Sequence, residues 1–132
     1  MADGRAATGT RFAGWLLAVA VVLAADRGTK LLVEATLPPC DAFRCARVDV
    51  LPFLAWTHVC NPGAAFSFLA GAGGWQRWLF AAVTLVVVPL LLAELWRLQR
   101  RPPVAATVLQ SLGAAAIAGG ALGNLWDRLA AG

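Results

Sequence analysis

Three long apolar runs, separated by polar interruptions, organise this chain of 132 residues. Phe12 to Ala25 carries no charge, Asp26-Arg27-Gly28-Thr29-Lys30 interrupts it, and Leu31-Leu32-Val33 resumes it. Charges at helical spacing inside a continuing apolar stretch predict one helix over roughly 12–34. A basic start before a short apolar run also describes a cleaved secretory signal. The continuation through Val33 favours a retained helix. Trp78 to Ala93 is uncharged and gives way to Glu94-Leu95-Trp96-Arg97, which predicts a second helix over roughly 77–97. Pro89 kinks it, as helices in lipid tolerate. Val104 to Trp126 predicts the third, roughly 104–126, and about 20 apolar residues suffice to cross the hydrocarbon.

From 35 to 76 the pattern changes. Pro38, Pro39 and Pro52 break helices, and Gly63, Gly71, Gly73 and Gly74 mark turns. Arg47 to Leu51 and Phe53 to Val59 read as short strands, and 64–69 reads as a short amphipathic piece. The expected architecture is a mainly α membrane protein forming a single domain over 1–132. It has a bundle of three transmembrane helices and a small cap of sheet and loop.

Composition agrees. Hydrophobic residues make up 60% and charged residues 14% of the chain, more apolar surface than a small soluble core hides. A net charge of +4 would point to nucleic acid in a soluble chain. Here the basic residues flank apolar runs without forming a stripe interleaved with aromatics, which excludes nucleic acid as a partner. Lys and Arg set orientation instead. Arg5 and Arg11 precede the first helix, and Arg97, Arg100 and Arg101 join the second to the third. With three crossings both groups face the cytoplasm, as does the N-terminus. The 35–76 cap and the end of the third helix then share the outer side.

That outer side carries the candidate chemistry. Asn124, Asp127 and Arg128 stand at i, i+3 and i+4, on one side of a helix. Asp26 and Lys30 are i,i+4 with the acid first, and Glu34 continues their stripe. They are either an interfacial helix end with snorkelling charges or groups turned inward toward the Arg128 tip. Gly119 and Gly123 form a small-xxx-small pair, with Gly113, Ala116 and Gly120 nearby, that lets a neighbouring helix approach Asn124 closely. Asn61-Pro62-Gly63 is turn chemistry, and the Asn61 amide is also able to bind an extended peptide backbone. Cys40, Cys45, His58 and Cys60 match no common zinc spacing; a disulfide between two of the cysteines fits an oxidising outer compartment better. No phosphate loop or Ser-His-Asp order is present.

Three segments, Asp26-Arg27-Gly28-Thr29-Lys30, Asn61-Pro62-Gly63-Ala64-Ala65-Phe66 and Gly119-Gly120-Ala121-Leu122-Gly123-Asn124-Leu125-Trp126-Asp127-Arg128, together resemble the bacterial lipoprotein signal peptidases (signal peptidase II). Their order and spacing agree over nearly the whole chain, and Arg27 stands where the family pattern has Gln, a minor departure. The resemblance implies a four-helix enzyme of the bacterial inner membrane with its site at the periplasmic face. Such an enzyme removes the signal peptide of diacylglyceryl-modified prolipoproteins before the lipid-bearing Cys, and binds membrane lipid and cyclic-peptide inhibitors of the globomycin type. It works as an aspartic-type endopeptidase, with two aspartates and a water and without metal or cofactor.

Residue by residue, the resemblance makes Asn61, Asn124 and Arg128 substrate-binding and Asp26, Lys30, Gly63 and Asp127 supporting, with Asp26 or Asp127 expected to pair with Arg128. The family's two reacting aspartates lie in motifs that follow the segment ending at Gly132, so none of residues 1–132 is assigned a catalytic role. A C-terminally truncated form without the fourth helix is expected to be inactive and to expose a groove to lipid, with poor stability or association with another chain as the consequence. The readings from other classes are a non-catalytic membrane protein that binds lipidated peptides and a transporter or proton-relay fragment built on Asp26 and Asp127.

Overall fold

Residues 2–40, 46–58 and 73–130 are described by the computed structural model of the chain. The first helix, α1, runs Ala2–Thr36, ten residues earlier than the apolar pattern predicts. Its opening turns are rich in alanine, a strong helix former, but have no apolar period to betray them. A hairpin follows, with β1 at Arg47–Leu51 and β2 at Leu54–Thr57. The strands are antiparallel, pairing Arg47 with Thr57 and Val48 with Trp56, and the register shifts between Asp49 and Leu51. Phe53, expected in the second strand, sits in the turn with Pro52, and His58 follows the strand.

Two backbone-directed bonds tie the hairpin to the end of α1. The Cys40 N–H donates to the His58 carbonyl at 2.8 Å, and His58 Nδ1–H donates to the Leu37 carbonyl at 2.8 Å. His58 thereby fixes the hairpin against the end of α1. Cys40 is disulfide-bonded; Cys45 and Cys60 lie outside the described residues, as does the expected amphipathic piece at 64–69.

The second helix, α2, spans Gln76–Gln99 and runs through Pro89 without a break. Gly73 and Gly74 reach it at φ of 77° and 96°, a left-handed approach that suits glycine. The Gly74 N–H donates to the buried Gln76 Oε1 at 2.8 Å. At the far end Pro102 and Pro103 prevent continuation, and the third helix, α3, occupies Ala105–Ala130, four residues further than predicted. Both α2 and α3 are long and apolar enough to cross a membrane, about 36 Å and 39 Å at 1.5 Å per residue. Their outward faces are correspondingly apolar: Leu85, Leu90, Leu109 and Ile117 are all well over half exposed.

α3 is the central element, packing against both α1 and α2, which touch each other far less. α1 and α3 run parallel. Their seam uses Trp15, Val19, Val22, Asp26 and Lys30 of α1, steps of three and four that place one stripe on one face. Opposite it, Ala115, Ala118, Gly119 and Gly123 keep α3 slim, and Val19, Ala115 and Ala118 form the buried heart of the bundle. A Cβ added at Gly119 would lie 2.7 Å from Val22 Cβ and 2.8 Å from the Val19 carbonyl oxygen. By contrast, Gly113 and Gly120 face open space, so the expected close approach belongs to Gly119 and Gly123 alone.

The seam is polar at both ends. At one, Trp15 Nε1–H donates to Gln99 Oε1 at 3.1 Å, and Gln99 Nε2 donates to Ser111 Oγ and to the Leu95 carbonyl, both at 3.0 Å. Arg11 Nη2 donates to the Arg101 carbonyl at 3.0 Å, and Phe12 meets Trp96 edge-on at 5.0 Å between centroids. At the other end lie the residues singled out by the sequence.

Candidate functional site

The glycine at 123 determines what meets at that end. A side chain there would run into the Asp26 carboxylate as it lies, so glycine leaves the room in which Asp26 faces α3. One turn on, Lys30 Nζ donates to Asp26 Oδ2 at 2.8 Å, to Asn124 Oδ1 at 3.4 Å, and to Asp127 Oδ2. Of the two options for Asp26 and Lys30, the inward-facing one is realised. Arg27 completes the cluster: its Nη1 donates to Asp127 Oδ1, and its guanidinium lies over the Trp126 ring at 6.0 Å. Both oxygens of Asp127 are therefore engaged by cations of α1.

Two acids and two bases balance, and their exposure sets the energy scale. The side chains of Arg27, Asp127, Lys30 and Asp26 are 24%, 32%, 31% and 25% exposed. At such partial exposure an ion pair contributes roughly 0.2–1 kcal/mol, so the cluster fixes geometry more than it stabilises the bundle.

Arg128 does something different from what was expected. The expected pairing with Asp26 or Asp127 is not formed. Its Nη1 donates to the Asn124 carbonyl at 3.0 Å, and its guanidinium lies 5.2 Å over the Phe80 ring of α2. Successive helical residues point about 100° apart, so Asp127 faces α1 while Arg128 faces α2. The trio at i, i+3 and i+4 is on one helix, as read, but two neighbours divide it. Arg77, at the start of α2, donates from Nη2 to the Leu129 carbonyl at 3.4 Å, and its buried Nε has no hydrogen-bond partner. Among the described residues no carboxylate pairs with Arg77 or Arg128. This edge of the tip is cationic, with guanidinium donors to spare, and the Asn124 side chain beside it is exposed.

The seven site residues named from sequence are thus accounted for as follows. Asp26, Lys30, Asn124 and Asp127 come together in one hydrogen-bonded cluster; Arg128 stands beside it on the α2 side; Asn61, with Gly63, lies outside the described residues. Sequence reasoning passed over Arg27, Arg77 and Phe80. The signal for Arg27 was present in its position three residues before Lys30, on the same helical face.

Comparison with known proteins points to one family. The signal peptidase (SPase) II family matches residues 18–132. A protein of Ectopseudomonas mendocina named lipoprotein signal peptidase is 46% identical over 119 residues, which cover 89% of this chain and 64% of that protein. One of Pseudomonas fluorescens with the same name is 44% identical over 120 residues, covering 90% of this chain and 65% of its own length. A third, from Shigella boydii serotype 4, is 40% identical over 129 residues, 98% of this chain and 71% of that protein. The chain thus spans about two thirds of the length of these relatives.

Proposed function

The chain belongs to the signal peptidase II family, and from that premise we propose that residues 1–132 form the substrate-side wall of a lipoprotein signal peptidase in the bacterial inner membrane. The family is one of membrane proteins, and the lengths and compositions of α2 and α3 fit that setting. The end bearing Arg11, Arg97, Arg100 and Arg101 faces the cytoplasm, by the usual Lys and Arg bias, and the Asn124–Arg128 end faces the periplasm. The substrate is a diacylglyceryl-modified prolipoprotein, cut before its lipid-bearing Cys.

One observation carries this reading: Lys30 joins the Asp26 and Asp127 segments across the α1–α3 seam. That junction leaves the Asn124 amide and the Arg128 guanidinium on the accessible edge. Asn124, whose oxygen accepts from Lys30, offers its two amide N–H donors to an extended peptide backbone, and Arg128 offers a rigid fork of donors to its carbonyls. Asp26, Lys30 and Asp127 support them. Asp127 is not the base that activates water, because Arg27 and Lys30 already take both of its oxygens.

The reacting groups are two aspartates outside residues 1–132. One takes a proton from the attacking water and later passes it to the leaving amine, while the other, held protonated by its neighbour's charge, donates to the scissile carbonyl and recovers that proton as the tetrahedral intermediate collapses. No metal enters the scheme. Residues 1–132 alone therefore bind without turning over.

A cyclic peptide of the globomycin type tests the binding wall, with affinity read from protection against thermal unfolding in the protein extended to its relatives' length. Asn124→Ala and Arg128→Ala are each expected to weaken binding about tenfold or more, a loss of about 1.4 kcal/mol, the scale of one hydrogen bond to the ligand. Unchanged affinity in both variants overturns the assignment.

A further inference from the structure

The opposite end of the seam holds a feature that the peptidase reading does not use. Between α1 and α3 opens a groove of about 400 Å³, the scale of a small-molecule site. Gly14, Trp15, Ala18 and Val108 wall it, and Gln99, Thr107 and Ser111 lie at its floor. That floor is polar but satisfied. Gln99 spends its oxygen on Trp15 and its amide hydrogens on Ser111 and Leu95, so no hydrogen-bonding ligand is called for inside. What remains open is apolar surface, flanked by Leu17 and Leu109, which are 66% and 70% exposed on faces fit only for hydrocarbon.

The mouth has the opposite character. Arg11 lines it, held by its single bond to the Arg101 carbonyl, and Arg100 stacks over Trp96 at 5.6 Å. Among the described residues Arg97 has Glu94, but no carboxylate pairs with Arg11, Arg100 or Arg101. The Arg11 guanidinium, without a carboxylate partner among the described residues, at the edge of an apolar slot fits a ligand with an anionic head and a hydrocarbon tail.

We infer that this groove binds one acyl chain of an anionic phospholipid, whose phosphodiester is held by Arg11. The planar guanidinium suits a phosphodiester, which accepts from two of its N–H groups at once. The tail fills the slot beside Gly14 and Ala18 and closes the seam over the Gln99–Ser111 pair. This site is independent of the peptidase assignment, and its test does not rest on cleavage.

The test offers phosphatidylglycerol or phosphatidylcholine to the purified protein, extended to its relatives' length, in maltoside micelles and counts retained lipid by native mass spectrometry. Each basic residue near a phospholipid surface is worth about fivefold in affinity, so phosphatidylglycerol is expected to be retained at least fivefold over phosphatidylcholine. Arg11→Gln should remove about fivefold of that preference and leave phosphatidylcholine unchanged. Gly14→Leu should reduce retention of both, since a side chain at Gly14 meets no atom within 4 Å and extends into the slot. Gly113→Leu is the control: it too has open space around it but lies off the groove, and should change neither. Equal retention of the two lipids, an Arg11→Gln variant that keeps its preference, or equal losses in the two glycine variants would overturn the inference. So would a lipid-insensitive dimer that protects the groove.

Discussion

Two adjacent glycines, Gly119 and Gly120, should respond to the same substitution with opposite signs. At Gly119 an alanine methyl would sit 2.7 Å from Val22 Cβ and 2.8 Å from both Val22 Cγ1 and the Val19 carbonyl oxygen. Apolar contacts settle near 3.5–4.0 Å, so the deficit is about 1 Å. A rotamer change at Val22 relieves part of it, but the Val19 oxygen is backbone and moves only with α1. The helices must therefore separate along a seam that also holds Val19 against Ala115 and Ala118. Overpacking of this kind costs roughly 1–3 kcal/mol. At Gly120 the same methyl meets nothing within 4 Å, and replacing glycine by alanine inside a helix contributes up to about 1 kcal/mol. Reversible unfolding of the chain in mixed micelles, followed by far-UV circular dichroism, measures both. Gly119→Ala should lose roughly 1–3 kcal/mol, and Gly120→Ala should be neutral to stabilising. If the two variants shift stability by the same amount, or Gly120→Ala is the worse, α1 does not pack on α3 through Gly119.

Other perturbations probe the two polar ends. Gln99→Leu conserves bulk but strands the Trp15 N–H and the Ser111 hydroxyl, and should cost about 1–3 kcal/mol in the same unfolding assay. At the other end, Arg27→Gln and Asp127→Asn should each destabilise modestly. Their double-mutant cycle should return a coupling of about 0.5–1 kcal/mol, as suits a pair about a quarter to a third exposed. A coupling near zero would mean that Arg27 and Asp127 do not act together.

How much of this was legible in the sequence differs from element to element. The centres of α2 and α3 followed from uncharged runs of sufficient length, and the hairpin from short apolar segments around Pro52. The start of α1 did not, because residues 2–11 form helix through propensity rather than through an apolar face. At the tip, helical spacing placed Asn124, Asp127 and Arg128 together, but spacing on one helix says nothing of which neighbour each residue meets. Asp127 turned to α1 and Arg128 to Phe80 of α2, which undid their expected pairing. The same limit hid Arg27. As a departure from a family pattern it looked minor; in three dimensions its guanidinium holds Asp127 and covers Trp126. The Trp15–Gln99–Ser111 chain was invisible for a related reason, since its members come from three helices and no local pattern links them.

Cleavage of a diacylglyceryl-modified prolipoprotein by the protein extended to its relatives' length, with Arg128 replaced by Lys, tests the substrate-side wall most directly. Lysine keeps the charge but not the planar fork that presents donors to peptide carbonyls. With the fold intact by circular dichroism, kcat/KM should fall at least tenfold, a loss of about 1.4 kcal/mol in transition-state stabilisation. Cleavage at the unsubstituted rate would mean that the Arg128 edge of α3 does not hold the substrate.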